Sequence, residues 1–85
     1  MTDVVKALGR AHGAEILAYL GVHDRARFSH VERDLDLNPA TVDRRLKELA
    51  DAGLVDVDCG VYEITSWGRD ALVTIADEIV DFFFD

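Results

Sequence analysis

Three cations lie close together in the stretch DRRLKE, where Arg44, Arg45 and Lys47 fall within four residues. Arginine forks onto the O6 and N7 atoms of guanine, and both arginine and lysine bind phosphate oxygens. The chemistry that these side chains offer is therefore recognition of a polyanion rather than catalysis. The same residue types also cover the solvent-exposed faces of ordinary helices. The surrounding elements must therefore distinguish polyanion recognition from a solvated helix face.

The apolar residues around DRRLKE predict how a helix would orient these cations. At about 100° per residue, one helix face is apolar and points inward. Its members are Val42, Leu46, Leu49 and Ala50. Arg44 then lies on the solvent side, with Arg45 and Lys47 on its two shoulders. We expect Arg44 to contact a base, and Arg45 and Lys47 to contact phosphates. Ala40 and Thr41 are small enough for close approach, and Thr41 is itself a candidate contact.

The segment before that helix supplies further candidate phosphate contacts. Ser29 and His30 are predicted in the first turn of a preceding helix, where backbone amides also favour anions. Arg25 and Arg27 come just before that turn and are candidates for backbone contacts. Six of the nine basic residues fall within residues 25–47, although the net charge of the chain is −8. This asymmetry favours nucleic-acid contact in that segment.

The acidic excess is mostly aspartate, with 12 Asp and 5 Glu against 7 Arg and 2 Lys. High Asp with few Lys resembles the composition of proteins from salt-accumulating haloarchaea, whose surfaces are acidic throughout. At molar salt the Debye length falls to about 3 Å, which would remove long-range repulsion from DNA. An acidic binding module for basic partners would have the same composition, so that alternative stays open.

Cap and turn residues divide the 85 residues into the elements of one small domain. Residues 3–20 have the apolar spacing of a helix, and Gly21 is expected to end it. Ser29 followed by Glu32 matches a capping box, which predicts a short helix from Ser29 to about Leu35. The chain is therefore expected to open with two helices.

The next helix is predicted over residues 39–52. Asn38 is a typical N-cap, Pro39 fits the first helical position, and Gly53 is a typical residue just past a helix end. Two helices joined by such a tight turn make a helix-turn-helix, here at about residues 29–53.

Residues 54–65 are predicted to form a β-hairpin. LVDVD and VYEIT both alternate between apolar and polar residues, and Cys59 and Gly60 join them in a short glycine turn. The outward positions of this hairpin are acidic; they are Asp56, Asp58 and Glu63.

Together these phrases resemble winged helix-turn-helix transcriptional regulators of the HxlR-, PadR-, ArsR- and MarR-like groups. The resemblance rests on RFSHVERDLDLNPATVDRRLKELADAGLVDVD and on VYEITSWGRDAL. It implies a mostly α fold with a small β-hairpin wing (α+β), a short strand leading into the second helix, and DNA binding. Many relatives carry Arg or Lys in the wing, whereas this wing is acidic, which leaves its contact with DNA open.

The last helix, predicted over residues 66–84 with Thr65 or Ser66 as its cap, is apolar on more than one face. One face can pack on its own domain, and the remaining apolar row is of the kind that marks an interface. We expect a C-terminal dimerisation helix that forms a twofold homodimer with the helix at 3–20 and binds a palindromic DNA site. The expected interface residues are Val4, Val5, Leu8, Leu72, Ile75, Ile79, Phe82 and Phe83.

Other chemistry has weaker support in the sequence. Three scattered histidines and the single Cys59 do not have the spacing of a metal site, so no metal or cofactor is expected. Cys59 is either a turn residue or a redox-sensitive thiol. Trp67 with Phe82–Phe84 would line a ligand pocket or simply pack, and one small domain leaves little room for an effector site. No nucleophile–base pair indicates an enzyme.

Two functions therefore remain from the sequence. The first is a cytoplasmic, dimeric, sequence-specific DNA-binding transcriptional regulator, since the chain shows no signal peptide or membrane span. The alternative is a winged-helix protein-interaction module whose acidic surface binds a basic partner and which does not bind DNA. The cation cluster at residues 25–47 favours the first, and the acidic hairpin favours the second.

Overall fold

The computed structural model describes residues 12–74. Within this range the chain forms four helices and one three-stranded antiparallel sheet. In chain order the elements are α1 (Gly13–His23), β1 (Arg25–Arg27), α2 (Phe28–Leu35), α3 (Pro39–Asp51), β2 (Val55–Asp58), β3 (Val61–Ile64) and α4, which is helical over residues 66–74. The predicted mostly α fold with a small hairpin is confirmed.

Helix α1 differs from the predicted helix at 3–20. His12 has a left-handed backbone with φ of 69°, which an α-helix cannot contain, so the expectation of one continuous helix through this residue is wrong. The helix also continues past Gly21 and ends at His23, before Asp24 with φ of 68°. Gly21 serves packing instead, because a Cβ there would lie 2.5 Å from Leu72 Cδ1.

Helix α2 begins one residue earlier than predicted, and the capping box is wrong. Arg27 is the N-cap residue and no side chain caps this end. The reason is tertiary: Arg27 is also the last residue of β1, paired with Val61, so its backbone is fixed in the extended conformation that precedes a helix. The predicted end at Leu35 is confirmed.

Helix α3 follows its local signals closely. The side chain of Asn38 accepts a hydrogen bond of 2.8 Å from the Ala40 amide, and Pro39 occupies the first turn, which confirms the predicted start. The helix ends at Asp51 with Ala52 as its C-cap, one residue before the predicted end, and Gly53 has the expected positive φ of 79°.

The sheet has the strand order β1-β3-β2, with both neighbouring pairs antiparallel. The two-residue turn between β2 and β3 has positive φ at both Cys59 and Gly60, as a primed hairpin turn requires. This confirms the predicted hairpin. The short strand expected before α2 is β1, and it pairs with β3 over Arg25–Arg27.

One apolar core holds α1, α2, α3 and the sheet together. Its buried members are Ile16, Leu17, Leu20, Ala26, Val31, Val42, Leu46, Leu49, Leu54, Val55 and Ile64. The start of α4 is fixed by Thr65, whose hydroxyl donates to the Gly53 carbonyl (2.8 Å) and accepts from the Gly68 amide (3.0 Å). Thr65 therefore caps α4, as expected. No helix within residues 12–74 is long and apolar enough to cross a membrane.

Candidate nucleic-acid interface

Helix α3 presents a continuous exposed stripe along the face opposite its buried side chains. Burial of Val42, Leu46 and Leu49 turns the other side of the helix to solvent. The residues on that side recur at intervals of three, four and seven, as one helix face requires. We define the exposed stripe as Ala40, Asp43, Arg44, Lys47 and Asp51; Asp43 as a residue is half-buried, and the other four are exposed.

The stripe carries an ion pair that sequence reasoning did not consider. Lys47 Nζ lies 2.9 Å from Asp43 Oδ2, one helical turn away, and the two side chains are 72% and 49% exposed. The hydrogen bond that Lys47 donates to the Asp43 carboxylate raises the pKa of Lys47 above its ordinary value. With Asp51 as a second acid, the stripe has two negative and two positive side chains. The four-residue spacing of Asp43 and Lys47 was the available signal.

Arg45 does not lie on the solvent side, and that prediction is wrong. Only 7% of the residue is exposed, and its Nη1 donates to both carboxylate oxygens of Glu48 at 2.8 and 3.1 Å. Its Nε–H is buried without a hydrogen-bond partner. A helical wheel places Arg45 next to Leu49, and the surrounding domain buries this shoulder of α3. Thr41, on the same side, is half-buried, whereas the Lys47 shoulder is open.

The remaining predicted contacts lie at the start of α2 and on β1. Ser29 and His30 are exposed in the first turn of α2, and Arg25 and Arg27 are exposed on β1. Arg27 Nη1 lies 3.7 Å from where a Cβ of Gly60 would be, which places this guanidinium at the tip of the hairpin.

Helix α1 positions α2 through a polar contact. The hydroxyl of Tyr19 donates to Asp34 Oδ2 at 2.6 Å, and Arg33 Nε donates to Asp34 Oδ1 at 3.0 Å. Both hydrogen bonds lower the pKa of Asp34, and the one from Tyr19 has the larger effect. The ring of His23 lies 4.2 Å from that of Tyr19. The contact joins α1 to the first helix of the helix-turn-helix.

Comparison with solved structures relates this arrangement to known proteins. The structure resembles that of Sco5413, a MarR family transcriptional regulator from Streptomyces coelicolor, with a TM-score of 0.76, 24% identity and coverage of 93% of this chain and 62% of that chain. It also resembles the transcriptional regulator homologue protein from Pyrococcus horikoshii OT3, with a TM-score of 0.73 and 25% identity over 100% of both chains. This chain has the winged helix-turn-helix fold.

A third protein of similar structure is RV1404 from Mycobacterium tuberculosis, with a TM-score of 0.75, 17% identity and coverage of 96% of this chain. This chain spans only 62% and 65% of the lengths of the Streptomyces and Mycobacterium proteins. No family model and no curated protein matches the chain. The predicted resemblance to winged helix-turn-helix proteins is confirmed by the fold.

The wing of this winged helix is the β2–β3 hairpin, and its outer face is charged. The register places Arg25, Glu63 and Asp56 side by side across the three strands. A second row contains Arg27, Val61 and Asp58, and these two rows share the face that the core does not cover. The acids of the wing are therefore exposed, with the two arginines of β1 along one edge.

The other residues singled out from the sequence lie apart from one another. His12 Nδ1 is 3.0 Å from Glu15, His30 starts α2, and Cys59 is exposed in the hairpin turn. Among residues 12–74 no group of three or more metal-ligating side chains converges. Trp67 is 54% exposed, and Phe82–Phe84 lie outside the described residues.

Of the predicted dimer residues, only Leu72 lies within the described range. It is half-buried and packs against the core of its own domain, close to Gly21, and its place in an interface stays a prediction. The neighbouring Val73 is 60% exposed instead. The other predicted interface residues, Val4, Val5, Leu8, Ile75, Ile79, Phe82 and Phe83, lie outside the described residues.

Proposed function

We propose that this winged-helix chain is a sequence-specific DNA-binding transcriptional regulator in which α3 enters the major groove. The observation that carries the proposal is the exposed stripe of α3, which is held outward by the buried face of the same helix. In a helix-turn-helix the second helix is the one that reads base edges. The similar structures from Streptomyces and Pyrococcus are a transcriptional regulator and a transcriptional regulator homologue, which supports the proposal further.

Each exposed cation has a distinct role in this proposal. Arg44 forks onto guanine, because it is exposed in the middle of the stripe and its neighbour Ala40 leaves room for close approach. Lys47 contacts a phosphate from the open shoulder. Ser29, His30, Arg25 and Arg27 contact the backbone beside the groove, and Thr41 contributes from the half-buried side. Arg45 supports α3 from within the domain and does not contact DNA.

The acidic surface limits how such a protein binds. Phosphate contacts supply most non-specific affinity, and that affinity falls steeply with salt. With a net charge of −8 the chain repels DNA at long range unless salt screens it. Close contacts made by the stripe survive that screening, so direct readout contributes a large share of binding.

A homodimer completes the proposal. Val73 is exposed on α4 while Leu72 packs inward, which leaves an apolar side chain for a partner. A twofold dimer places two α3 helices about 34 Å apart and favours a palindromic site. Light scattering is expected to give twice the chain mass of 9.4 kDa at micromolar concentration in the binding buffer; a stable monomer that still binds a palindrome would contradict the dimer.

Duplexes selected from a random library by the wild-type protein test DNA recognition directly. Fluorescence polarisation then compares the selected duplex with a scrambled duplex of equal composition over a salt series. We expect at least about 1,000-fold tighter binding to the selected duplex, the lower end of specific recognition. Arg44→Ala should weaken the selected duplex by about 1–3 kcal/mol and relax one base position. Equal affinity for both duplexes would contradict the proposal.

The outer face of the sheet supports a second candidate, a module that binds a basic protein segment. Three exposed acids, Asp56, Asp58 and Glu63, share that face. If this is the function, a Lys/Arg-rich peptide binds the wild-type protein, and Asp56→Asn with Asp58→Asn removes the binding. Under the DNA proposal the same double substitution instead strengthens binding to scrambled DNA at about 50 mM salt, because it removes repulsion.

A further inference from the structure

We propose that Asp43 is a specificity-determining residue, which withholds Lys47 from the phosphates of non-cognate DNA. This inference rests on the proposed function, because it assigns a role within the same DNA-reading stripe. Asp43 lies inside the stripe beside Arg44, so a carboxylate sits on the surface that meets the polyanion. A carboxylate there lowers affinity for any phosphate.

The ion pair determines what Lys47 contributes in loose complexes. Lys47 Nζ is held 2.9 Å from Asp43 Oδ2. A cation that already has an anionic partner in its own helix releases fewer counterions when it approaches DNA. Non-cognate binding consists almost entirely of such phosphate contacts. In that mode the protein therefore binds with one cation fewer than its sequence suggests.

The cognate complex differs because its geometry is fixed. Exposed ion pairs between flexible side chains are weak, so a phosphate held close to Lys47 can replace Asp43. Direct contacts between the stripe and the bases provide that fixed position only on the matching sequence. Lys47 then adds its phosphate contact to the cognate complex and not to the others, and the ratio of the two affinities increases.

The test is Asp43→Asn, measured on the selected and scrambled duplexes. The salt slope is the slope of the logarithm of the binding constant against the logarithm of the salt concentration, and one additional phosphate contact steepens it by about 0.9. At about 0.1 M salt this corresponds to an affinity about 8-fold higher. We expect binding to the scrambled duplex to rise by about that factor, with a steeper salt slope. Asp51→Asn is the matched control, because it removes the same charge from the same stripe and leaves the ion pair between Asp43 and Lys47 in place. Relative to this control, the ratio of cognate to non-cognate affinity should fall about 8-fold.

A double-mutant cycle separates the ion pair from the charge itself. In a Lys47→Gln background, Asp43→Asn should act no more strongly than Asp51→Asn. Two results would overturn the role of Asp43 while leaving DNA binding intact. One is a ratio of cognate to non-cognate affinity that is the same in Asp43→Asn as in Asp51→Asn. The other is an effect of Asp43→Asn that is as large in the Lys47→Gln background as in the wild type. If the wild-type protein shows no preference for any duplex, the proposed function fails and this inference fails with it.

Discussion

Arg45 offers the sharpest separation between stability and DNA contact. Its side chain is 9% exposed and its Nη1 donates to Glu48, so we expect Arg45→Ala to destabilise the fold without changing the DNA interface. A hydrogen bond between charged groups contributes about 1.5–3 kcal/mol, and loss of two buried methylene groups costs about 1.6 kcal/mol more. The substitution also removes the Nε–H, which is buried without a hydrogen-bond partner, and this stabilises the folded state by about 1–3 kcal/mol. The net expected loss is about 1–3 kcal/mol in the free energy of unfolding.

Arg45→Met isolates the packing contribution, because it keeps the buried stem and should lose about 1.6 kcal/mol less than Arg45→Ala. Thermal unfolding resolves this order, since 1 kcal/mol shifts the midpoint by about 4–8 °C in a domain of this size. In the same preparations, the salt slope for the selected duplex should equal the wild-type slope. Lys47→Met is the matched control and should flatten that slope by about 0.9. A flattened slope for Arg45→Met with an unchanged unfolding midpoint would refute the buried position of Arg45.

Substitutions at three further positions test the framework around α3. Asn38→Ala removes the hydrogen-bond acceptor of the Ala40 amide and should lower the free energy of unfolding by about 1 kcal/mol in thermal unfolding. Asn38→Asp keeps an acceptor there and should lose little stability. Equal losses for the two variants would argue against the cap. Gly68→Ala would place a Cβ 2.3 Å from the Leu54 carbonyl oxygen, so the unfolding midpoint should fall by at least about 4 °C; an unchanged midpoint would mean that the backbone yields. The pKa of Asp34 in the folded protein is lowered from its ordinary value of 3.8, so the ionised carboxylate stabilises the fold. This contribution is complete above pH 3.8 and is lost as the pH falls through the lower folded pKa. The stabilities of the wild type and of Tyr19→Phe, measured by unfolding, should therefore converge in that acidic range.

The elements that the sequence predicts best are those whose ends are set locally. Asn38 caps the start of α3 and Pro39 fits its first turn. Gly53 adopts the positive φ after the helix, and Cys59-Gly60 forms the hairpin turn. None of these depends on a distant strand. The winged-helix fold follows from their order.

The sequence predictions are wrong where contacts with distant parts of the chain set the local structure. Arg27 occupies the N-cap position of α2 because β1 pairs with β3, between Arg27 and Val61, some 34 residues later. The residues around Ser29 do not show this pairing, so they predict the wrong helix start. A helical wheel gives Arg45 and Lys47 equivalent shoulders, but tertiary packing covers the first and leaves the second open. The ion pair of Asp43 and Lys47 was visible in their spacing, although spacing alone does not show that it lies on the reading surface.

Amide chemical-shift mapping would show which surface of the protein meets DNA. The uniformly ¹⁵N-labelled wild-type protein would be titrated with the selected duplex, and shift changes compared along the chain. If α3 enters the major groove, the largest changes lie on α3, at Ala40, Arg44 and Lys47, with smaller changes at Ser29 and His30. Changes concentrated on the acidic outer face of the wing, at Asp56, Asp58 and Glu63, with α3 unaffected, would contradict it.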